Sequence, residues 1–325
     1  MDIAGISFRL RATLLLAALS ASTAVWAAGF PDRPIRILNG FQAGGPPDIV
    51  LRQIAAGLER RLGQPVVVEN RAGATGTIAA ASVARARPDG YLLLFGVAAN
   101  LAVAPAMMAN PPYDPATAFA PIIEVARGPY LWLVPADSPA KPLPEFVALA
   151  RRAPGKLNYA TPGPGSVHHV ATEMFKQAAS MDLVHVPYKG GLYVAMLAGE
   201  VQAMFESMPG PLPHLEAGRI RALGVTGPRR LRNLPEVPTF REQGQPDIDV
   251  SSWWGLVGPA GLPAEIVGRL NREISAVIGE PGLQKTLAGW GIEASPGTPE
   301  QLGDHIRDES RRWKERVSRF PIKPE

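Results

Sequence analysis

The sequence contains no cysteine, which excludes disulfides, a lipid-modified amino-terminal cysteine, thiolate metal sites and cysteine nucleophiles. Charge is also sparse. Asp, Glu, Lys and Arg make up 19% of the chain, and 33 basic against 29 acidic residues leave a formal charge of +4, which steers anions only weakly. Beyond the amino terminus no segment is long and apolar enough to span a membrane. Phosphate-loop and dinucleotide fingerprints are missing. A nucleophile elbow is missing too, because Gly163-Pro164-Gly165-Ser166-Val167-His168 sets its serine directly after glycine and has no closing glycine. There is no short-period repeat, low-complexity tract or heptad seam, so solenoids and coiled coils are set aside.

Arg9 and Arg11 precede an apolar run over 12–21, followed by small residues ending Val25-Trp26-Ala27. This order is that of a secretory signal peptide cleaved after Ala27, and it places the mature chain in the periplasm. Ser20, Ser22 and Thr23 break the run too early for a spanning helix of about 20 residues. Loss of Asp2, Arg9 and Arg11 lowers the charge to +3. The remaining length, with 46% apolar residues in the whole chain, suffices for a large core and favours two lobes. The basic clusters Arg229, Arg230, Arg232 and Arg311, Arg312, Lys314, Arg316, Arg319 lack interleaved aromatics, and the second alternates with Asp308, Glu309 and Glu315. Both read as solvated surface, not as nucleic-acid contacts.

The mature chain repeats a β-rich run, a Gly/Pro-rich loop and an amphipathic helix, an alternation that predicts an α/β fold with parallel sheets. The first unit is a strand at 35–39, a loop at 40–47 and a helix at 48–62, capped by Asp48, with Leu51, Ile54, Leu58 and Leu62 on one face. Strands at 66–69 and 91–95 lead to helices at 78–85 and 101–108. A second set has a strand at 130–134, a helix at 143–152, a strand at 158–160, the loop 161–166 and a helix to 179. Further strands are expected at 183–186, 201–205 and 220–226. After a polar, Pro-rich stretch, the run 250–258 reads as a return crossing, and helices at 264–278, 283–290 and 299–317 complete the chain.

In parallel sheets, ligands bind beyond the carboxyl ends of strands, where helix amino termini offer unpaired N–H groups and a positive dipole end. The loops 41–47 and 161–167 fit that role, since Gly44, Gly45, Gly163 and Gly165 let backbone approach a ligand. Neither loop holds Lys or Arg, so anion capture there would rest on backbone donors and the Thr161 and Ser166 hydroxyls. The pair His168 and His169 points about 100° apart on a helix, and the five histidines lack ligand spacing, which favours a polar or ligand-contacting histidine over a metal ligand. His169 and Glu173 are set to share a face.

Several segments in order carry a family resemblance: Pro34-Ile35-Arg36 leading to Phe41-x-x-Gly44-Gly45-x-x-Asp48; Leu62-Gly63-Gln64-Pro65-Val66-Val67-Val68-Glu69-Asn70-Arg71; Pro88-Asp89-Gly90-Tyr91; Pro154-Gly155-Lys156-Leu157-Asn158-Tyr159-Ala160; His185-Val186-Pro187-Tyr188-Lys189-Gly190; Gly218-Arg219-Ile220-Arg221-Ala222-Leu223; and Pro235-Glu236-Val237-Pro238-Thr239. Together they resemble the solute receptors of tripartite tricarboxylate transporters, the Bug or TctC family. The resemblance implies a two-lobed α/β periplasmic binding protein, type II-like, a "Venus flytrap" with the ligand cleft between lobes. Residues 1–27 would be the signal peptide, 28–128 with 252–325 the first lobe, and 129–251 the second.

It further implies a non-catalytic, cofactor-free monomer that captures a small mono-, di- or tricarboxylate and presents it to the membrane subunits of such a transporter. The implied ligand residues are Phe41, Ala43, Gly44, Gly45 and Asp48 opposite Thr161, Gly163, Gly165, Ser166 and His169. Ala98, Asn100, Tyr188, Lys189, Glu206 and Ser207 would line the remaining walls. Glu206 facing the cleft would suit a ligand ammonium, although a solvent-exposed loop carboxylate is the favoured reading. A receptor delivering its closed form to a sensor kinase would share these features, and an exported enzyme would need His169 or Glu206 for acid–base work. Pro46 and Pro47 depart from the family pattern and, with Pro162 and Pro164, remove backbone donors from both loops.

Overall fold

The computed structural model describes residues 29–319; the expected signal peptide and its cleavage after Ala27 lie outside the described residues. In the first lobe β1 (Ile35–Asn39) runs into α1 (Pro46–Leu62), then β2 (Val66–Asn70), α2 (Thr77–Ala84) and β3 (Leu92–Val97). Pro46 and Pro47 occupy the first turn of α1, where a missing N–H costs the helix nothing, and Gly63 closes the helix in the left-handed region at φ 67°. Leu51, Ile54, Leu58 and Leu62 are buried, as the spacing predicts, and Val50 joins them. β2 and β3 pair parallel with β1 on its two sides. A π turn (Ala99–Val103) and the short α3 (Ala104–Met107) follow β3.

The 17-residue β4 (Phe119–Pro135) joins the two lobes. Over its first part, from Phe119 to Pro129, it pairs antiparallel with β9 (Ser251–Pro259); from Tyr130 onward it pairs antiparallel with β7 (Met204–Ser207), and from Leu131 with β8 (Ile220–Val225). The second lobe also holds α4 (Leu143–Arg152), β5 (Leu157–Thr161), α5 (Val167–Ala178), β6 (Leu183–Pro187), α6 (Leu192–Leu197) and α7 (Leu212–Glu216). β5 and β6 pair parallel. The chain returns through β9, which inserts between β3 and β4, and ends with α8 (Ala264–Ile278), α9 (Pro281–Gly289), β10 (Glu293–Ala294) and α10 (Pro299–Arg319).

The expectation of parallel sheets is therefore corrected: the large sheet, ordered β10-β4-β9-β3-β1-β2, is mixed. β4 leaves the first lobe for the second and β9 returns from the second to the first, so the two crossing strands meet antiparallel. Each lobe has a dense core. In the second, Trp132 on β4 is fully buried with Phe146, Phe175 and Phe205 edge-on at 5.2, 5.2 and 4.8 Å, the geometry aromatic quadrupoles favour. In the first, α8 lies so close to α1 that a Cβ on Gly57 would collide with the Val277 side chain.

Candidate functional site

The carboxyl ends of β1 and β5 each feed a glycine loop and then a helix, and the two loops lie on the facing sides of the lobes. At these loops the lobes approach one another closely. Thr75 Oγ1 donates to the Pro164 carbonyl at 3.0 Å. A Cβ on Gly165 would stand 3.5 Å from Met107 Sδ and 4.0 Å from Ala104 Cα. A Cβ on Gly210 would meet Pro46 Cγ at 3.1 Å.

In the first-lobe loop the two glycine amides are committed. Gly44 N–H donates to Asp48 Oδ2 at 3.0 Å and Gly45 N–H to the Gln42 carbonyl at 3.3 Å, while Pro46 and Pro47 have no N–H. Asp48 does not cap α1. Gly45 holds that position without a side-chain bond, and Asp48, in the first turn, reaches back to Gly44. The prolines start the helix two residues earlier than the cap reading assumed. Asp48 is buried and also accepts from Arg52 Nε at 2.8 Å and Asn70 Nδ2 at 2.9 Å. Burial opposes its ionisation, but the bonds from Arg52, Gly44 and Asn70, with the Arg52 charge, outweigh it and hold the carboxyl below its ordinary value. Ala43 is exposed, Phe41 half-buried and Ala98 buried. Asn100 is fully buried; its Oδ1 accepts from Val97 N–H at 2.9 Å, whereas its Nδ2 has no partner.

In the second-lobe loop, Thr161 Oγ1 accepts from Gly163 N–H at 3.0 Å and lies 2.6 Å from His185 Nε2. Ser166 caps α5, accepting from His169 N–H at 3.2 Å and donating to the Gly163 carbonyl at 2.7 Å. Gly163 and Gly165 take φ of 136° and 75°, which side chains rarely adopt. Gly165 N–H and the first-turn amides of Val167 and His168 remain as donors, because first-turn amides have no intrahelical acceptor.

The His169 ring packs within the second lobe, stacked on His185 at a centroid distance of 4.1 Å and on Tyr159 at 6.5 Å. Burial, then the neighbouring His185, lowers its pKa to about 4, with Lys176 adding and Glu173 opposing. Glu173 instead accepts from Tyr159 Oη and from Lys176 Nζ. Tyr188 donates its hydroxyl to Glu200 at 2.9 Å and its N–H to the Thr161 carbonyl at 2.9 Å, and Lys189 is exposed.

Glu206 corrects the reading of a solvent-exposed loop carboxylate. It is only 4% exposed, sits on β7 opposite Leu131, and accepts from Ser207 N–H at 2.7 Å with His168 Nε2 at 3.1 Å. The strand expected at 201–205 in fact runs through Ser207, which draws both residues out of the loop. Ser207 is buried as well.

Sequence reasoning missed Thr75, Gly76, Tyr193 and Gly210. Tyr193 Oη is buried without a partner, its ring stacks on His214 at 4.5 Å, and a Cβ on Gly210 would stand 2.6 Å from that hydroxyl. Burial, then Glu206, raises the Tyr193 pKa well above its ordinary value. A signal for Thr75 and Gly76 was present: Gly73-x-x-Gly76 follows a strand and opens a helix, as the other two loops do. Among the described residues no group of three or more His, Asp or Glu is placed to hold a metal ion.

A family model described as the tripartite tricarboxylate transporter family receptor matches residues 50–320. The protein BugT of Bordetella pertussis is 33% identical over 303 residues, covering 92% of this chain and 93% of BugT. Among solved structures, Rpa4515 of R. palustris with adipate has a TM-score of 0.87 at 34% identity, covering 91% of this chain and all of that one. MatC of Rhodopseudomonas palustris with bound malate has a TM-score of 0.84 at 32% identity, covering 89% of this chain and all of that one.

Proposed function

Because this chain belongs to the tripartite tricarboxylate transporter receptor family, a family of periplasmic solute-binding proteins, we propose that it reversibly captures a small carboxylate for such an uptake system. The observation that carries this reading is the pair of glycine loops at the carboxyl ends of β1 and β5, one per lobe, the second of which touches the first lobe through the Thr75–Pro164 hydrogen bond. Gly165, Val167 and His168 present backbone N–H groups at the positive end of α5, and the Ser166 bonds hold that loop in shape. Such donors hold an anion without a covalent step, which suits capture and release. The change of β4 partners near Gly128 and Tyr130, and the return through β9, support a division of the lobes at 128/129 and 251/252.

MatC and Rpa4515 carry malate and adipate, so both compounds head the test panel. The mature protein, from residue 28 onward, is screened by thermal shift against mono-, di- and tricarboxylates, amino acids and aromatic acids. A true ligand at 100 times its dissociation constant adds about 2.7 kcal/mol of stability. Stabilisation by a carboxylate without its turnover is the expected result. A panel in which no carboxylate stabilises the protein removes the carboxylate reading, and turnover of a bound acid replaces it with an enzymatic one.

A further inference from the structure

Two strand-to-helix loops of the first lobe open toward the cleft and the facing loop of the second, and they differ in what they offer an anion. The first turn of α1 is poor in donors. Pro46 and Pro47 lack N–H groups, the Gly44 and Gly45 amides are already bonded, and the buried Asp48 carboxylate stands in the first turn, where its charge opposes a second anion. The amino end of α2 is the reverse. No side chain caps it and no acidic residue stands in its first turn, so the Ile78 and Ala79 amides keep their positive potential.

A second observation points to the same place. Asn100 is fully buried and its Nδ2 has no partner, yet it aims at the turn that opens α2, 3.0 Å from where a Cβ on Gly76 would sit. Its Oδ1 is fixed on Val97 N–H, so the amide donors cannot turn away without breaking that bond. Buried amide groups without partners are rare. Ala74 and Thr75 just before the helix take φ of 45° and 54°, and Thr75 reaches the Pro164 carbonyl of the second-lobe loop. Left-handed backbone at a β-branched residue is strained and persists where the surroundings impose it. The turn is thus held at the cleft, touching the other lobe, with the Phe41 ring 3.2 Å from the same Gly76 position.

We propose that the amino end of α2, together with Asn100 Nδ2, is the carboxylate-binding point of the first lobe, in place of the α1 end. This rests on the carboxylate reading above. A ligand carboxylate accepts from the Ile78 and Ala79 amides and from Asn100 Nδ2, and the Phe41 ring gives its adjacent carbons an apolar wall. The opposite loop, through Gly165 and the first turn of α5, meets the ligand from the second lobe.

The test uses the isotope-labelled mature protein and three probes: acetate, malate and adipate. Amide resonances of Ile78 and Ala79 and the Asn100 side-chain signal shift on saturation, and Asn100→Asp, which keeps the acceptor for Val97 N–H but places charge where the donor was, weakens binding about ten- to hundredfold. Should malate or adipate bind while the Gly44 and Gly45 signals move and those of Ile78, Ala79 and Asn100 stay still, the inference is overturned and the receptor reading stands. If no probe moves any of these signals, both are overturned. The wild-type shifts decide the matter even if the Asp variant fails to fold.

Discussion

Acidification isolates what the buried histidine pair contributes to the second lobe. The His169 ring is buried against His185, and folding lowers its pKa to about 4. An unfolded histidine titrates near about 6.5, so the unfolded chain binds the extra proton between those values. The stability tied to the neutral ring is complete above about pH 6.5 and is lost as pH falls toward about 4. By about pH 5 the loss amounts to about 2 kcal/mol. His169→Phe removes the titration and leaves the backbone cap on Ser166 in place. His169 Nδ1 has no partner, so the phenyl ring forfeits no bond at that atom. Urea unfolding followed by circular dichroism, run on both proteins from about pH 7 to about pH 4.5, reads the difference. The parent is expected to lose about 2 kcal/mol more than the variant by about pH 5. Equal losses in the two proteins would refute the assignment of that proton to His169.

Two further perturbations address the loops. Gly165→Val puts a β-branched side chain at φ 75° and against Met107, so it is expected to abolish the ligand-induced thermal shift while the fold remains; an undiminished shift removes the second-lobe loop from the site. Asp48→Ala leaves the Gly44 amide and one Asn70 donor without their acceptor and is expected to cost about 2–4 kcal/mol in urea unfolding, whereas an unchanged midpoint shows that the clamp is not stabilising.

Helices with a clear apolar stripe were legible in the sequence to within a residue or two. The spans 143–152 and 264–278 coincide with α4 and α8, and 48–62 misses only the two prolines that start α1. β4 was half legible. Only 130–134 was recognised as strand, and Pro121 and Pro129 in its first part cannot donate to a ladder. The structure accommodates Pro121 where the β4–β9 register shifts. Strand direction was not legible, since a central antiparallel strand such as β9, buried on both faces, carries the same apolar run as a parallel one. The α2 turn carried a signal in Gly73 and Gly76, but the positive φ of Ala74 and Thr75 did not, since nothing in their residue types announces it.

The prolines flagged as departures change the division of labour in the cleft without disturbing its architecture. Pro46 and Pro47 suit the first turn of α1, but they take two amides from a helix end that also carries Asp48. Pro46 then packs toward Gly210, and Pro164 offers its carbonyl to Thr75, so on each side of the cleft a position that cannot donate to an anion instead touches the opposite lobe. A residue lacking N–H still has a carbonyl and a rigid ring. Under the assignment proposed above, capture of the anion falls to donors that stand where proline is absent: at Gly165 and the first turn of α5, and at the uncapped end of α2.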